Sequence, residues 1–310
     1  AGDIFYTQNH FSNAYNFRQQ LNVDKVVNGV HGITWILGQE IRNTKLEYSN
    51  LTRYGYDNDL LMAQYIDEPL LTQGFSGLMN TWASLSAPSA QREMVNRFVS
   101  FYSNGAYSYD NRYLADLSYR LSGSSVYGSD NRWGGFWSAG IGWNMHYESF
   151  MSGQEWLKQL KLRASVGYTG SQNFNPYQAM ATYKYFTNAE YDNIVGAYLM
   201  GMANDKLKWQ RTQDINIGVD AQFFGSLTFR FDYYVSNTDN LLVDFDLSGS
   251  TGFNTFKENL GEVQNKGFDA TLNWRVYNNT EKDAYFTIFG SVSHNKNKIV
   301  KISDALTHSN

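Results

Sequence analysis

Six stretches of the chain alternate apolar and polar residues with period two, which sends successive side chains to opposite faces of a β-strand. In 112–122, Tyr113, Ala115, Leu117, Tyr119 and Leu121 oppose Arg112, Asp116, Ser118, Arg120 and Ser122, with Leu114 the one intruder. In 136–145, Trp137, Ala139, Ile141, Trp143 and Met145 oppose Ser138, Gly140, Gly142 and Asn144. Leu162, Ala164, Val166 and Tyr168 oppose Lys161, Arg163, Ser165 and Gly167. Ile215, Ile217, Val219, Ala221 and Phe223 oppose Asp214, Asn216, Gly218, Asp220 and Gln222. After a tight turn at Gly225 and Ser226 the pattern resumes with Leu227, Phe229, Phe231, Tyr233 and Val235. Phe268, Ala270, Leu272, Trp274 and Val276 then oppose Asp269, Thr271, Asn273 and Arg275.

Each stretch is about ten residues long, the length a tilted strand needs to cross the hydrocarbon layer. A soluble β-sandwich also shows one apolar and one polar face, so the connections have to discriminate. Beyond about residue 94 they alternate: 109–111 short, 122–134 longer, 146–159 intermediate, 171–211 very long, 225–226 minimal, 238–261 long, 278–282 short. Outer-membrane barrels show this parity, with short periplasmic turns and long extracellular loops. Within the intermediate connection, GQEWLKQL predicts one or two helical turns carrying Trp156, Leu157 and Leu160 on one side. Tyr107, Tyr109 and Tyr113 flank a short turn, and Trp133, Phe136 and Trp137 adjoin a long loop, as two interfacial girdles would.

Nearer the start, 29–42 and 97–107 predict strands, and 1–20 the end of an earlier one. Between them 44–91, with Pro69 and Pro88, predicts another extracellular loop. The expectation is nine or ten strands of an all-β, antiparallel transmembrane barrel segment. Its lipid-facing side would carry Tyr113, Leu117, Leu121, Ile141, Ile217, Phe229, Phe231 and Leu272.

Six blocks stand in a telling order. They are RYLADLSYRLSGSSVYG (112–128), NRWGGFWSAGIGWN (131–144), LKLRASVGYTGSQNF (160–174), LKWQRTQDINIGVD (207–220), DYYVSNTDNLL (232–242) and NLGEVQNKGFDATLNW (259–274). In that order they resemble the SusC/RagA-like TonB-dependent transporters. Ser122 departs from the family pattern, which usually has an acidic residue before Gly-Ser-Ser, so a local loop contact is in question there. The resemblance implies an outer-membrane barrel of about 22 strands with a plug in its lumen. All of 1–310 would belong to the barrel domain, with the plug, the TonB-contacting box and the last strands outside it. The start shows neither a signal peptide nor an initial Met, so a processed or partial chain is expected. The resemblance further implies uptake of oligosaccharides or peptides with a SusD-like surface lipoprotein. TonB would act through the missing N-terminal part, a homodimer is an option, and the setting is the outer membrane of a Bacteroidetes-like Gram-negative bacterium.

Composition narrows the classes further. Only 17% of residues are charged, against about 25% in ordinary domains. A net charge of -4 disfavours nucleic acid as a partner. The absence of Cys removes disulfides, thiolate metal sites and cysteine nucleophiles. No run of about 18 apolar residues exists, which excludes a membrane-spanning helix but not spanning strands.

Candidate chemistry is sparse. His10, His31, His146, His294 and His308 do not pair at ligand spacing, and neither HExxH nor GxSxG occurs, so no metal, cofactor or enzyme activity is expected. Gly140 and Gly142 form GxG on a strand with no helix after it, which predicts small-residue packing rather than a phosphate loop. Asp214, Asp220, Asp232 and Asp269 fall at lumen-facing positions and predict a solvated wall rather than paired catalytic carboxylates. The candidate substrate-binding region is the very long loop with Tyr177, Tyr183, Tyr185, Phe186, Tyr191 and Tyr198, since aromatic faces stack on sugars and accept peptide side chains. Phe253 and Phe256 form a weaker candidate of the same type. Two other classes stay open at this point: a passive porin and a soluble glycan-binding sandwich.

Overall fold

The computed structural model describes residues 3–60, 62–63, 89–171, 177, 179–185, 196–279 and 283–302. Its strands in chain order are β1 (Asp3–Val27), β2 (His31–Asp57), β3 (Met62–Ala63), β4 (Ser89–Tyr109), β5 (Tyr113–Ser124), β6 (Trp133–Asn144) and β7 (Leu157–Ser171). They continue with β8 (Thr182–Tyr185), β9 (Ala197–Gly201), β10 (Gln210–Phe223), β11 (Leu227–Asp246), β12 (Thr255–Asn279) and β13 (Ala284–Ile302). One sheet runs β1-β2-β4-β5-β6-β7-β10-β11-β12-β13, with β3 paired to β2; β8 and β9 form a separate hairpin. From β4 onward every pairing is antiparallel. The chain divides into two compact units, 1–16 with 42–97, and 17–41 with 98–310.

The sandwich is overturned by this topology. Leu117, Ile141 and Ile217 are 60%, 67% and 54% exposed on one face of a single sheet, instead of converging between two sheets. Cross-strand register puts Tyr113 opposite Trp143, Ala115 opposite Ile141, and Ile217 opposite both Ala164 and Tyr233. Phe229 pairs with Leu272 and Phe231 with Ala270 on that same apolar face. Leu121, Phe229 and Phe231 are half-buried there by their neighbours.

The connection parity holds. In the larger unit the described turns at 28–30, 110–112 and 224–226 share an end with the connection 145–156, while 125–132, 196–209 and 247–254 lie at the other end. Asp110 and Asn111 both have positive φ (49° and 53°), the backbone of a two-residue turn whose twist matches the strands it joins. The β10–β11 turn sits one residue earlier than expected. Phe224 (φ 53°) and Gly225 (φ 69°) form it, and Ser226 N–H donates to the Phe223 carbonyl at 3.1 Å.

Three sequence expectations need correction. GQEWLKQL is not helical: β7 starts at Leu157 and pairs with β10 through Leu160–Ala221, so the ladder satisfies the backbone groups a helix would have used. Short 3-10 turns occur earlier, at 145–147 and 149–151. The stretch 238–261 is mostly strand, because β11 and β12 stay paired up to Asp246–Thr255. Likewise β2 runs to Asp57 and β4 begins at Ser89, so their ends fill part of the expected 44–91 loop.

In the smaller unit, Lys45 Nζ bridges Glu47 (2.6 Å) and Glu93 (3.1 Å), and Phe5 stacks on Tyr56 with ring centroids 4.6 Å apart. In the larger unit the well-buried apolar side chains gather mainly at the long-connection end. They are Val126, Tyr127, Ala179, Leu207 and Trp209.

Candidate functional site

The polar face of the larger unit is built by the residues that alternate with the apolar ones. On β7, Arg163 lies opposite Gly142 of β6 and Gly218 of β10. Glycine at 218 leaves room for a close approach: a Cβ there would stand 2.5 Å from Asp232 Oδ1 and 2.8 Å from Arg163 Nη2. The guanidinium therefore passes over Gly218 and reaches β11, where Nη2 donates to Asp232 Oδ1 at 3.0 Å. Its Nε lies 2.8 Å from Asp220 Oδ2 as an ion pair, and Arg230 Nε donates to Asp220 Oδ1 at 2.9 Å. Asp214 accepts from Ser236 Oγ at 2.5 Å and from Thr169 Oγ1 at 3.3 Å, and Asp269 faces Asp232 across the ladder. Among the described residues this face is an interlocked set of opposite charges and hydroxyls.

A second group joins β1, β2, β4 and β5. The Glu40 carboxylate, only 8% exposed, receives Arg18 Nη2 at 3.4 Å and Arg120 Nη2 at 3.3 Å. Arg120 Nη2 also donates to Ser100 Oγ at 2.8 Å, and its Nε donates to Ser122 Oγ at 3.3 Å. Its guanidinium lies 5.6 Å from the Phe98 ring centroid and 5.8 Å from that of Tyr102. Ser122, where the sequence departs from the family pattern, is a buried acceptor for Arg120, and Glu40 supplies the carboxylate. Gly140 faces Asp116 closely enough that a side chain would collide with the carboxylate, which accounts for the small residue there.

At the long-connection end a cluster ties several connections together. Tyr127 stacks on Trp209 (centroids 4.5 Å, planes 28° apart), and Phe136 meets Trp209 edge-on at 5.5 Å. Leu207 is fully buried beside them in sequence. Burial pushes the Tyr127 phenol above its ordinary range, since the charged form would lose water. Three asparagines complete the cluster. Asn204 Nδ2 donates to the Lys257 carbonyl at 2.6 Å. Asn259 accepts from Lys208 N–H at 2.8 Å and donates to the carbonyls of Lys208 (3.1 Å) and Asn240 (2.7 Å). Asn240 takes φ 57° at the bulge between Thr238 and Leu241, a backbone region that asparagine tolerates.

This cluster was not singled out from the sequence because its apolar members follow no period. A signal was present nonetheless: Val126, Tyr127, Leu207, Trp209, Asn240 and Asn259 all lie in the blocks that carry the family resemblance.

Beside the cluster, the chain turns at Tyr177 and enters the β8–β9 hairpin. Asn204 N–H donates to the Ala179 carbonyl at 3.0 Å and fixes its base. Register places Tyr183 opposite Leu199 and Tyr185 opposite Ala197, so the two tyrosines share a face, while Lys184 and Tyr198 share the other. Tyr183 and Tyr185 are 67% and 71% exposed. The structure thus brings together two of the expected substrate residues, puts Tyr198 behind them and Tyr177 before the hairpin; Phe186 and Tyr191 lie outside the described residues. Phe253 is half-buried, and Phe256 pairs with Phe245 inside the β11–β12 ladder rather than in a free loop.

At the short-turn end, Glu148 accepts from Tyr113 OH (2.7 Å) and Trp143 Nε1 (3.1 Å), with Arg112 Nη1 at 3.5 Å. These donors hold its carboxyl below the usual carboxylate range.

Residues 2–307 match the family described as TonB dependent receptor-like, beta-barrel. TonB-dependent receptor P39 of Formosa agariphila is 28% identical over 94% of this chain and 26% of its own length. TonB-dependent receptor SusC of Bacteroides thetaiotaomicron is 33% identical over 67% of this chain and 21% of its own. Among solved structures, the RagAB peptide transporter superposes with a TM-score of 0.82 at 25% identity, over 97% of this chain and 32% of that one. This chain therefore spans about a quarter of the curated relatives and about a third of the solved transporter. Sheet, parity, polar wall and matches agree: the chain belongs to the TonB-dependent receptor β-barrel family, in its SusC/RagA-like branch, a family of outer-membrane transporters.

Proposed function

We propose that this chain forms part of the wall of an energised importer that takes up oligosaccharides or peptides with a SusD-like surface lipoprotein, its plug displaced through TonB. The observation that carries this reading is the division of labour within one sheet. The face with Leu117, Ile141, Ile217 and Leu272 meets acyl chains, and the face with the Arg163 and Arg120 networks meets water and cargo. Pairing opposite charges keeps the inner face wettable without a strong field of either sign. Above it, Tyr183 and Tyr185 offer two exposed rings on one face, a surface on which sugar rings or peptide side chains stack.

The test is uptake of labelled oligosaccharide and peptide by cells carrying the full-length protein, with and without the lipoprotein and with the proton-motive force collapsed. Uptake should need both. The double substitution Y183A/Y185A should weaken cargo capture about tenfold, the loss of two ring contacts. Uptake that survives collapse of the proton-motive force would make this a passive pore.

A further inference from the structure

Along β11, β12 and β13 the outward face changes character abruptly. Tyr233, Phe268 and His294 form one rung, and the next rung is Val235, Lys266 and Lys296. The rung beyond is Asn237, Gln264 and Lys298. Three lysines therefore sit side by side on the face that the sheet otherwise fills with Phe231, Ala270, Leu272 and Val292. Lys266 and Lys296 stand directly opposite one another, an arrangement that repels unless a counter-charge intervenes. Among the described residues none of the three makes an ion pair, whereas Lys301 lies opposite Glu262.

Their height is informative. Along β12 the apolar band starts at Tyr277 and Trp274, near the short-turn end, and ends at Phe268. That span is about 30 Å along the strand, and about 23 Å along the membrane normal at a tilt of roughly 40°. An outer-membrane barrel has an apolar band about 25 Å tall. The lysines thus begin where the acyl chains stop, on the extracellular side. Beyond Gln213 of β10, Arg211 stands on that outward face opposite Asp239 of β11, with its guanidinium 4.5 Å from the Tyr168 ring centroid, so it is set against an acid there and is not counted with the lysines.

We propose that Lys266, Lys296 and Lys298 form a docking surface for the phosphate groups of an outer-leaflet glycolipid. The occupant's acyl chains lie against Phe268, Ala270 and Val292, and its phosphate bridges the two opposed lysines. Charge and depth together select it: the groups to be neutralised are cationic, and they stand at headgroup level above a greasy strip. The inference rests on the apolar face meeting lipid, so the test reads that face independently.

Full-length protein would be reconstituted in phosphatidylcholine nanodiscs doped with lipid A, and the lipid A retained per protein measured by mass spectrometry. Each lysine near an anionic headgroup is worth about fivefold in association. The variant K266Q/K296Q/K298Q should therefore lose at least tenfold of its lipid A enrichment. K161Q removes the same charge from the inner face and should leave the enrichment unchanged. Retention by the triple variant within twofold of wild type would overturn the proposal, as would complete displacement by inorganic phosphate, which would mark a site for free anions. A cysteine introduced by Leu272→Cys and labelled should be quenched by brominated acyl chains. Without that quenching the outward-face reading itself fails; with it, a null result on lipid A sinks the docking surface alone.

Discussion

Gly218 offers the sharpest check on the inner-face network. Replacing it with alanine puts a methyl group where Asp232 Oδ1 and Arg163 Nη2 now lie, 2.5 and 2.8 Å away. Both atoms are the ends of flexible side chains, so the backbone need not move; what is lost is the contact between them. A hydrogen bond to a charged group is worth about 1.5–3 kcal/mol when protected from water. Arg163 is 32% exposed and Asp232 is 20% exposed, so screening brings the figure to about 1 kcal/mol. Alanine in a strand interior recovers about 0.5 kcal/mol over glycine. Gly218→Ala should therefore destabilise by about 0.5 kcal/mol. In a background carrying Arg163→Ala the guanidinium is gone and Asp220 keeps Arg230, so the same change should stabilise by about 0.5 kcal/mol. Urea titration of the full-length protein in detergent micelles, run on all four members of the cycle, measures this. Equal effects of Gly218→Ala in the two backgrounds would show that the arginine does not cross that glycine.

Three further outcomes are expected. Leu207→Ala should cost about 3 kcal/mol locally, because the side chain is fully buried, and limited proteolysis should show faster cleavage between β7 and β10 with the main sheet intact. Asn259→Ala removes one acceptor and two donated bonds to main-chain atoms and should cost about 2 kcal/mol, with Asn259→Asp keeping only the acceptor and falling between; thermal melts rank the three. For Glu148 the sign follows from its donors. The carboxyl titrates lower in the folded protein than the ordinary 4.5, so its contribution is whole above pH 4.5 and lost as acid carries the pH down through the folded value. Glu148→Gln should flatten the acid limb of a stability–pH profile, and an acid limb identical to wild type would remove Glu148 from the account.

How much of this was written in the sequence depended on where the membrane is. Where a barrel strand crosses the membrane it must show grease to one side and water to the other, so β5, β6, β7 and β10 could be read residue by residue from their alternation. Beyond a membrane-crossing stretch that demand ends. The upper parts of β11 and β12 stay paired without alternating, and the register shifts around Leu241 break the period further, so 238–261 read as loop. Leu157 and Leu160 satisfied a helical spacing by accident; pairing with β10 decided the matter. The aromatic candidates were legible as a composition, but only the register shows that Tyr183 and Tyr185 share a face that Tyr198 does not. The Glu40 group joins residues 80 positions apart, a distance no local pattern reports.

The asparagine knot has one more consequence. Asn204, Asn240 and Asn259 grip carbonyl and amide groups that every residue type provides, and so they ask almost nothing of the side chains around them. Substitutions can accumulate in the neighbouring segments while the anchor points stay put. The exposed rings of the β8–β9 hairpin can then change without disturbing the scaffold beneath them.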